Sequence, residues 1–438
     1  MFRIIKYIFY GLIGLMVLIL LLLMFTQTRT FRELVRSRAE NMANEQLNGH
    51  VEIGGLDGNF FSDISLQGIM IGLDREDTIM SLDRLSLKYS LWPLLEGTIQ
   101  VHSIVFDRLD VNLAQREDST WNFGEIFPPS SPDTADTISS ESFDFAVELG
   151  ALQLKEANVH LNMLDSVVPA YASNIHLDVG GKYHSGEWQV ALRDFGFVTP
   201  PGVPDITNLQ GSLINRDGVF SLKDFALVTP RNQVNAKGEY AGLGQLAGGI
   251  DTSPFQLDEF SWILPDIQLG VAPEIHIDAG VEKRDLTIDL SLADEDERIA
   301  LSGRVLEFPV VFSDSTRHQG ELDLTATFQK LDPQKWFLLT DLPLVLNGHI
   351  SMKGNGLQGS QMPLKINGDF AGSRWEEYRF RKLGFEGSYL DGATHLVFQS
   401  ATELGRIQVT GQGNINQTRS PFQLEVKAEE FPAYRFLP

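Results

Sequence analysis

In the stretch "LTIDLSLADEDERIALSGRV", Leu286 to Val305, apolar and polar residues alternate on both sides of an acidic centre. A period of two puts Leu286, Ile288, Leu290 and Leu292 on one face of an extended chain and their polar neighbours on the other. A helix would need a period of 3.6. The acidic segment Ala293 to Arg298 lies between two alternating runs and reads as the tip of a hairpin.

The same period runs outward in both directions. "LSLKYSL" (Leu85 to Leu91), "IQVHSIVF" (Ile99 to Phe106), "LDVNL" (Leu109 to Leu113), "ELDLTATF" (Glu321 to Phe328) and "FQLEVKA" (Phe422 to Ala428) all alternate. Turn pairs punctuate them at Asp57-Gly58, Asp217-Gly218 and Asp391-Gly392. Short helical interruptions fit "SLWPLLEG" (Ser90 to Gly97) and "DPQKWF" (Asp332 to Phe337). No long helical pattern follows Gly49, so the expected fold is all-β, a long antiparallel sheet.

A five-residue pattern, apolar-polar-Gly-polar-apolar, recurs along the chain. It occurs as Leu209, Gly211, Leu213; Leu301, Gly303, Val305; Leu346, Gly348, Ile350; Ile366, Gly368, Phe370; and Phe385, Gly387, Tyr389. In a strand the glycine falls on the apolar face between two apolar side chains. Two readings stand side by side. The glycines permit bends or bulges, or they shape a lengthwise apolar groove lined by these residues. A longer repeat, "DFGFVTP" at Asp194 to Pro200 and "DFALVTP" at Asp224 to Pro230, occurs once as a pair.

The N-terminus differs from the rest. Residues 7–25, "YIFYGLIGLMVLILLLLMF", carry no charge. As a helix they span about 28 Å, close to a bilayer core. Arg3 and Lys6 lie in the short N-terminus, 1–6. The apolar run is too long for a secretory signal and lacks a small-x-small cleavage pattern, so an uncleaved anchor is expected. Arg29, Arg32, Arg36 and Arg38 follow it, which by simple count favours keeping the next side cytoplasmic. Large domains translocate regardless of that count, and the expected orientation places the bulk outside. Residues 29–49 read as a juxtamembrane helix, lying on headgroups or packing on the first strands. The segment 128–142, rich in Pro, Ser, Thr and Asp, separates a first β region (50–127) from a longer one (143–438).

Composition narrows the function. With 35 basic against 58 acidic residues, net −23, the chain lacks the positive charge that a nucleic-acid backbone requires. It has no cysteine, which excludes disulfides, thiolate metal sites and a Cys nucleophile. "GNGLQG", Gly354 to Gly359, matches a dinucleotide-binding spacing but runs into a strand, not the helix that would receive a pyrophosphate. The nine histidines are scattered, and Asp74, Glu76 and Asp77 lack calcium-loop spacing. Nothing points to an enzyme, a metal or a cofactor, although two carboxylates for glycoside hydrolysis could hide among so many acidic groups.

The N-terminal part resembles a known family. The anchor, the helix running to "LNGHVEIGGLDGNFFSDISLQGIMI", the Leu56 to Phe60 turn, the Trp92 to Gly97 segment "WPLLEG" and the Trp121 to Phe123 run "WNF" are similar to the TamB family, relatives of the AsmA-like proteins. The match covers Phe2 to Pro129. The resemblance implies an inner-membrane anchor and, in the periplasm of a Gram-negative bacterium, a sheet folded lengthwise into an apolar groove, a β-taco. It implies a non-enzymatic role with phospholipid acyl chains as cargo, or alternatively the assembly and secretion of outer-membrane β-barrel proteins by strand pairing. Family members are usually longer and end in a domain that meets an outer-membrane partner. This chain still reads as strands near Pro438, which puts that partner in doubt.

Overall fold

The computed structural model describes residues 24–430 except 74–76, 127–144, 164–168, 243, 265–266, 308–319, 340–341, 356–362, 404 and 415–422, together with residues 10, 13–14 and 16–17. The expected anchor lies mostly outside the described residues, and the 1–6 terminus and the 128–142 loop wholly so. Among the described residues no helix is long and apolar enough to cross a membrane.

The first described helix, α1 (Arg29–Gln46), starts where the Thr28 hydroxyl accepts a hydrogen bond from the Phe31 amide. It ends at Leu47, two residues before the glycine stop the sequence suggests. Its inward side packs along β1 (His50–Gly58), an edge strand whose other side pairs with β2 (Asp63–Gly72). Backbone groups on a free edge need partners, and side chains of α1 supply them. The Asn44 amide accepts from Val51 N at 2.7 Å and donates to Val51 O at 2.9 Å. One residue pair further, Arg36 donates to Ile53 O at 2.6 Å and Glu40 accepts from Ile53 N at 3.4 Å.

The chain divides into two units, 1–217 and 218–438. The first continues with β3 (Thr78–Ser90), β4 (Thr98–Ala114), β5 (Ala146–Asn162), β6 (Tyr171–His184), β7 (Glu187–Val198) and β8 (Asn208–Arg216). A 3-10 turn, Trp92–Glu96, joins β3 to β4, and a short helix α2 (Asn122–Ile126) follows β4. Neighbours pair antiparallel except β4 and β5, which run parallel from Thr98 opposite Ala146 to Ala114 opposite Asn162. The expectation of a purely antiparallel sheet is corrected here. The connection between them, residues 115–145, carries the chain back to the starting rim, as a parallel pairing requires.

The sequence pattern of β4 explains its length. On one face Ile99, Val101, Ile104, Phe106, Leu109, Val111 and Leu113 step by two, with two steps of three, while Val105 takes the other face. A step of three would flip the face, but a β-bulge absorbs the extra residue. "IQVHSIVF" and "LDVNL" are therefore one bulged strand. β5 repeats the same steps from Val147 to Leu161. A line of left-handed residues marks these bulges across the unit: Gly68, Arg108, Glu156 and Asn174. Asp83 lies in the same line and accepts from the Arg108 guanidinium at 2.6 Å.

The second unit contains β9 (Val219–Val228), β10 (Gln233–Tyr240), β11 (Gln245–Thr252), β12 (Glu274–Glu282), β13 (Asp285–Asp294), β14 (Glu297–Val305), β15 (Glu321–Leu331), β16 (Leu344–Asn355), β17 (Leu364–Asp369), the two-residue β18 (Arg374–Trp375) and β19 (Tyr378–Arg379), β20 (Lys382–Leu390), β21 (Ala393–Thr402), β22 (Gly405–Asn414) and β23 (Gln423–Glu429). Each pairs antiparallel with the next, save that β17 skips to β20, while the small β18–β19 hairpin pairs back on β16 through β18 and not on β20. The acidic tip closes at Glu295-Asp296, with Asp294 opposite Glu297. A short helix α3 (Pro333–Phe337) caps one rim. Its Trp336 is fully buried, and the indole N–H donates to Glu297 at 2.7 Å. Lys335 beside it reaches Asp294 at 2.8 Å and Glu297 at 3.0 Å, and these carboxylates hold its pKa above the usual lysine value.

The paired "VTP" segments fall at equivalent places. Thr199 and Thr229, both buried, end β7 and β9 at the same kind of rim turn. Thr199 N donates to Asp205 at 2.8 Å, and the Thr229 hydroxyl donates to Glu259 at 2.5 Å. In both copies the first five residues end a strand and the Thr-Pro pair begins the turn.

Candidate functional site

In the second unit the strand registers bring apolar residues into rows that cross the strands. One row runs Phe225, Ala236, Ile250, Ile277, Leu290, Leu301 and Ala326 on β9–β15. It continues through Ile350, Gly368, Phe385, Phe398, Val409 and Val426 on β16, β17 and β20–β23. A second row lies beside it, from Leu222 through Gly238, Gly248, Ala279, Ile288 and Gly303 to Leu324, Met352, Ile366, Gly387, Leu396, Gly411 and Leu424. Because the period is two, no charged side chain enters either row.

The opposite face is polar and paired. Lys353 meets Asp323 at 3.0 Å, and His276 meets Asp251 at 2.5 Å. The Asp251 hydrogen bond, with Asp278 and Asp289 adding their charge, raises the His276 pKa above the ordinary imidazole value. A recess of about 690 Å³ also lies on this polar face, between Glu239, Thr287 and Arg304 over the small Ala247 and Gly280. It does not belong with the apolar rows.

The apolar rows are not a sealed core. Leu286, Ile288, Leu290 and Leu292 are half-buried, while Ile250 is 38% and Leu396 42% exposed. Residues at the centre of a two-layer core would be closed to water.

Residues singled out by the glycine pattern fall into these rows. Leu301, Ile350, Gly368 and Phe385 share the first row; Gly303, Ile366 and Gly387 share the second. Val305 and Tyr389 extend the same face toward one rim, and Leu346, Gly348 and Phe370 toward the other. Leu209, Gly211 and Leu213 lie on β8 of the first unit, where Gly211 faces Leu192 and Leu213 faces Val190. That unit has rows of its own, such as Leu56, Leu66, Leu85, Phe106, Leu154, Leu177 and Phe195.

Two glycines show what the pattern does locally. A methyl group at Gly368 would lie 2.5 Å from the Phe385 ring, and one at Gly348 would lie 2.1 Å from Asp369 O. These positions allow close approach of neighbours and do not leave empty space. Phe385, which covers Gly368, is also 6.5 Å from the Phe370 ring, itself 5.9 Å from Phe328. The glycine pattern missed Ile277, Leu290, Leu324 and Phe398, although plain alternation in their strands carries them. Among the described residues no group of three or more His, Cys, Asp or Glu side chains could hold a metal ion.

No curated protein and no solved structure matches the chain. The AsmA family model matches residues 1–180, from the apolar N-terminal run through α1 and β1–β5 into β6, and supports the AsmA-like superfamily as the group to which this chain is similar.

Proposed function

We propose that this chain is an inner-membrane-anchored, TamB-like bridge that carries phospholipid acyl chains along its apolar face through a Gram-negative periplasm toward the outer membrane, without enzymatic chemistry. The observation that carries this reading is the unbroken register of apolar rows on a face that is not closed into a core. An acyl chain crossing water exposes about 0.8 kcal/mol per CH₂. A continuous apolar track lowers that barrier without any reaction. In the second unit the ladder of β9–β17 and β20–β23 gives a track on the order of 60 Å at the usual strand spacing. The AsmA-family match and the uncharged 7–25 segment support the membrane end of the proposal.

The competing reading, assembly of outer-membrane β-barrel proteins by strand pairing, needs a free sheet edge. The outer edge of β1 is occupied by Asn44, Arg36 and Glu40, so pairing would have to use another edge. Photo-crosslinkers at Ile288 and Leu290, compared with Thr287 and Asp289, test the proposal in cells. Lipid adducts at the even positions alone are expected. Adducts on both faces, or on neither, would reject the track.

A further inference from the structure

The rim that carries the β1–β2 and β3–β4 turns exposes an apolar cluster that the transport track does not use. The 3-10 turn between β3 and β4 presents Trp92 at 76% and Leu95 at 77% exposure, with Leu91 and Leu94 beside them. Gly97, left-handed at φ 75°, closes the turn back onto the sheet. Phe61, exposed, projects from the neighbouring β1–β2 turn. The two turns are tied together: Tyr89 N donates to Ser62 O at 2.9 Å and its hydroxyl to Phe60 O at 2.6 Å.

This rim is also where the chain leaves the uncharged N-terminal segment. Phe25, the last residue of that segment, packs edge-on to Phe31 of α1 at 5.4 Å, and Phe31 packs edge-on to Phe60 at 5.4 Å. Gln27 donates to Asn59 O at 3.1 Å. Phe25, Phe31, Phe60, Tyr89 and the Trp92 turn therefore form one connected corner. A tryptophan and leucines held out on a rigid turn, next to a segment long enough to enter a bilayer, match the chemistry of an interfacial lipid contact.

We infer that the Leu91–Leu95 turn and Phe61 dock into the headgroup–acyl boundary of the same bilayer that holds the N-terminal segment, fixing the first strands against the membrane surface. The inference rests on the anchored-bridge reading, and its occupant is lipid, not a second copy of the chain. The test uses the full chain, which has no native cysteine, with a polarity-sensitive fluorophore at Leu95→Cys or, as a control, at Ser119→Cys on the opposite rim. Both are reconstituted in phosphatidylethanolamine–phosphatidylglycerol vesicles, and co-flotation is scored first. Acyl-chain spin labels are expected to quench the Leu95 site at least about twofold more strongly than the Ser119 site. Equal quenching on co-floating protein overturns the docking contact and leaves the anchor intact. A Leu95 label shielded from both lipid and aqueous iodide, with energy transfer that rises with protein density, assigns the cluster to self-association and also overturns it. Failure to co-float overturns the anchor and the contact together.

Discussion

Arg108 on β4 and Glu156 on β5 stand at matching positions of two parallel strands, and both hold left-handed backbone, with φ of 52° and 53°. A non-glycine residue rarely adopts this conformation, and two in register mark a bulge that runs through both strands. The bulge lets strands of 17 residues bend while keeping Phe106 and Leu109 on β4, and Leu154 and Ala157 on β5, on one face.

Glu156 therefore gives a direct measure of that strain. Glu156→Val forces a β-branched side chain into the left-handed region and is expected to lower stability by about 1–2 kcal/mol. Glu156→Gly is expected to be neutral or slightly stabilising. Urea unfolding midpoints of the two variants decide it: a valine no worse than glycine would mean the bulge is not held there.

At Gly368 the neighbour is an aromatic ring, not solvent. Gly368→Val must displace Phe385 and is expected to cost about 1–3 kcal/mol through overpacking. Leu396→Glu, on a half-open part of the same face, is expected to leave the fold intact by circular dichroism and thermal melting while abolishing lipid capture. Ser302→Glu, at an exposed position of the polar face, should leave both the fold and lipid capture unchanged.

The α1–β1 contact predicts a local signature. Asn44→Ala removes both partners of Val51 and is expected to cost about 1–2 kcal/mol. Hydrogen exchange should speed up at the Val51 amide and leave the β13–β14 hairpin unchanged. Uniform acceleration along the chain would show that the helix does more than cover an edge.

His276 provides a pH probe. Asp251 stabilises the imidazolium, so the native pKa lies above the unfolded value of about 6.5. The pair's contribution is fully present below that unfolded value and fades as pH rises through the native one. NMR titration of His276 should give a midpoint above the reference, and Asp251→Asn should bring it down. An unchanged midpoint in the variant would place the cause elsewhere.

Much of this architecture is legible in the period of two. The Leu286 to Val305 hairpin, the short helical breaks near Trp92 and Trp336, and the face shared by Leu301, Gly303 and Val305 all follow from local spacing. What escaped local spacing were long-range features. Bulges in β4 and β5 interrupt the alternation and disguise one strand as two. The parallel pairing joins segments separated by the 115–145 connection, which no hairpin signal announces. The Asp57-Gly58 pair, a turn by composition, ends β1, and the turn itself falls at Asn59–Ser62 because Asp63 O accepts from the Asn59 and Phe60 amides. At Gly348 and Gly368 the glycines mark close contacts between neighbours, which spacing alone does not distinguish from open room.

The helix that seals β1 has a consequence for how such a protein changes size. With one margin closed, hairpins can be gained or lost elsewhere in the ladder without disturbing the N-terminal end. Each whole hairpin adds about 10 Å and returns the chain to the same rim with its oily side unchanged. Length then becomes a matter of counting pairs of strands.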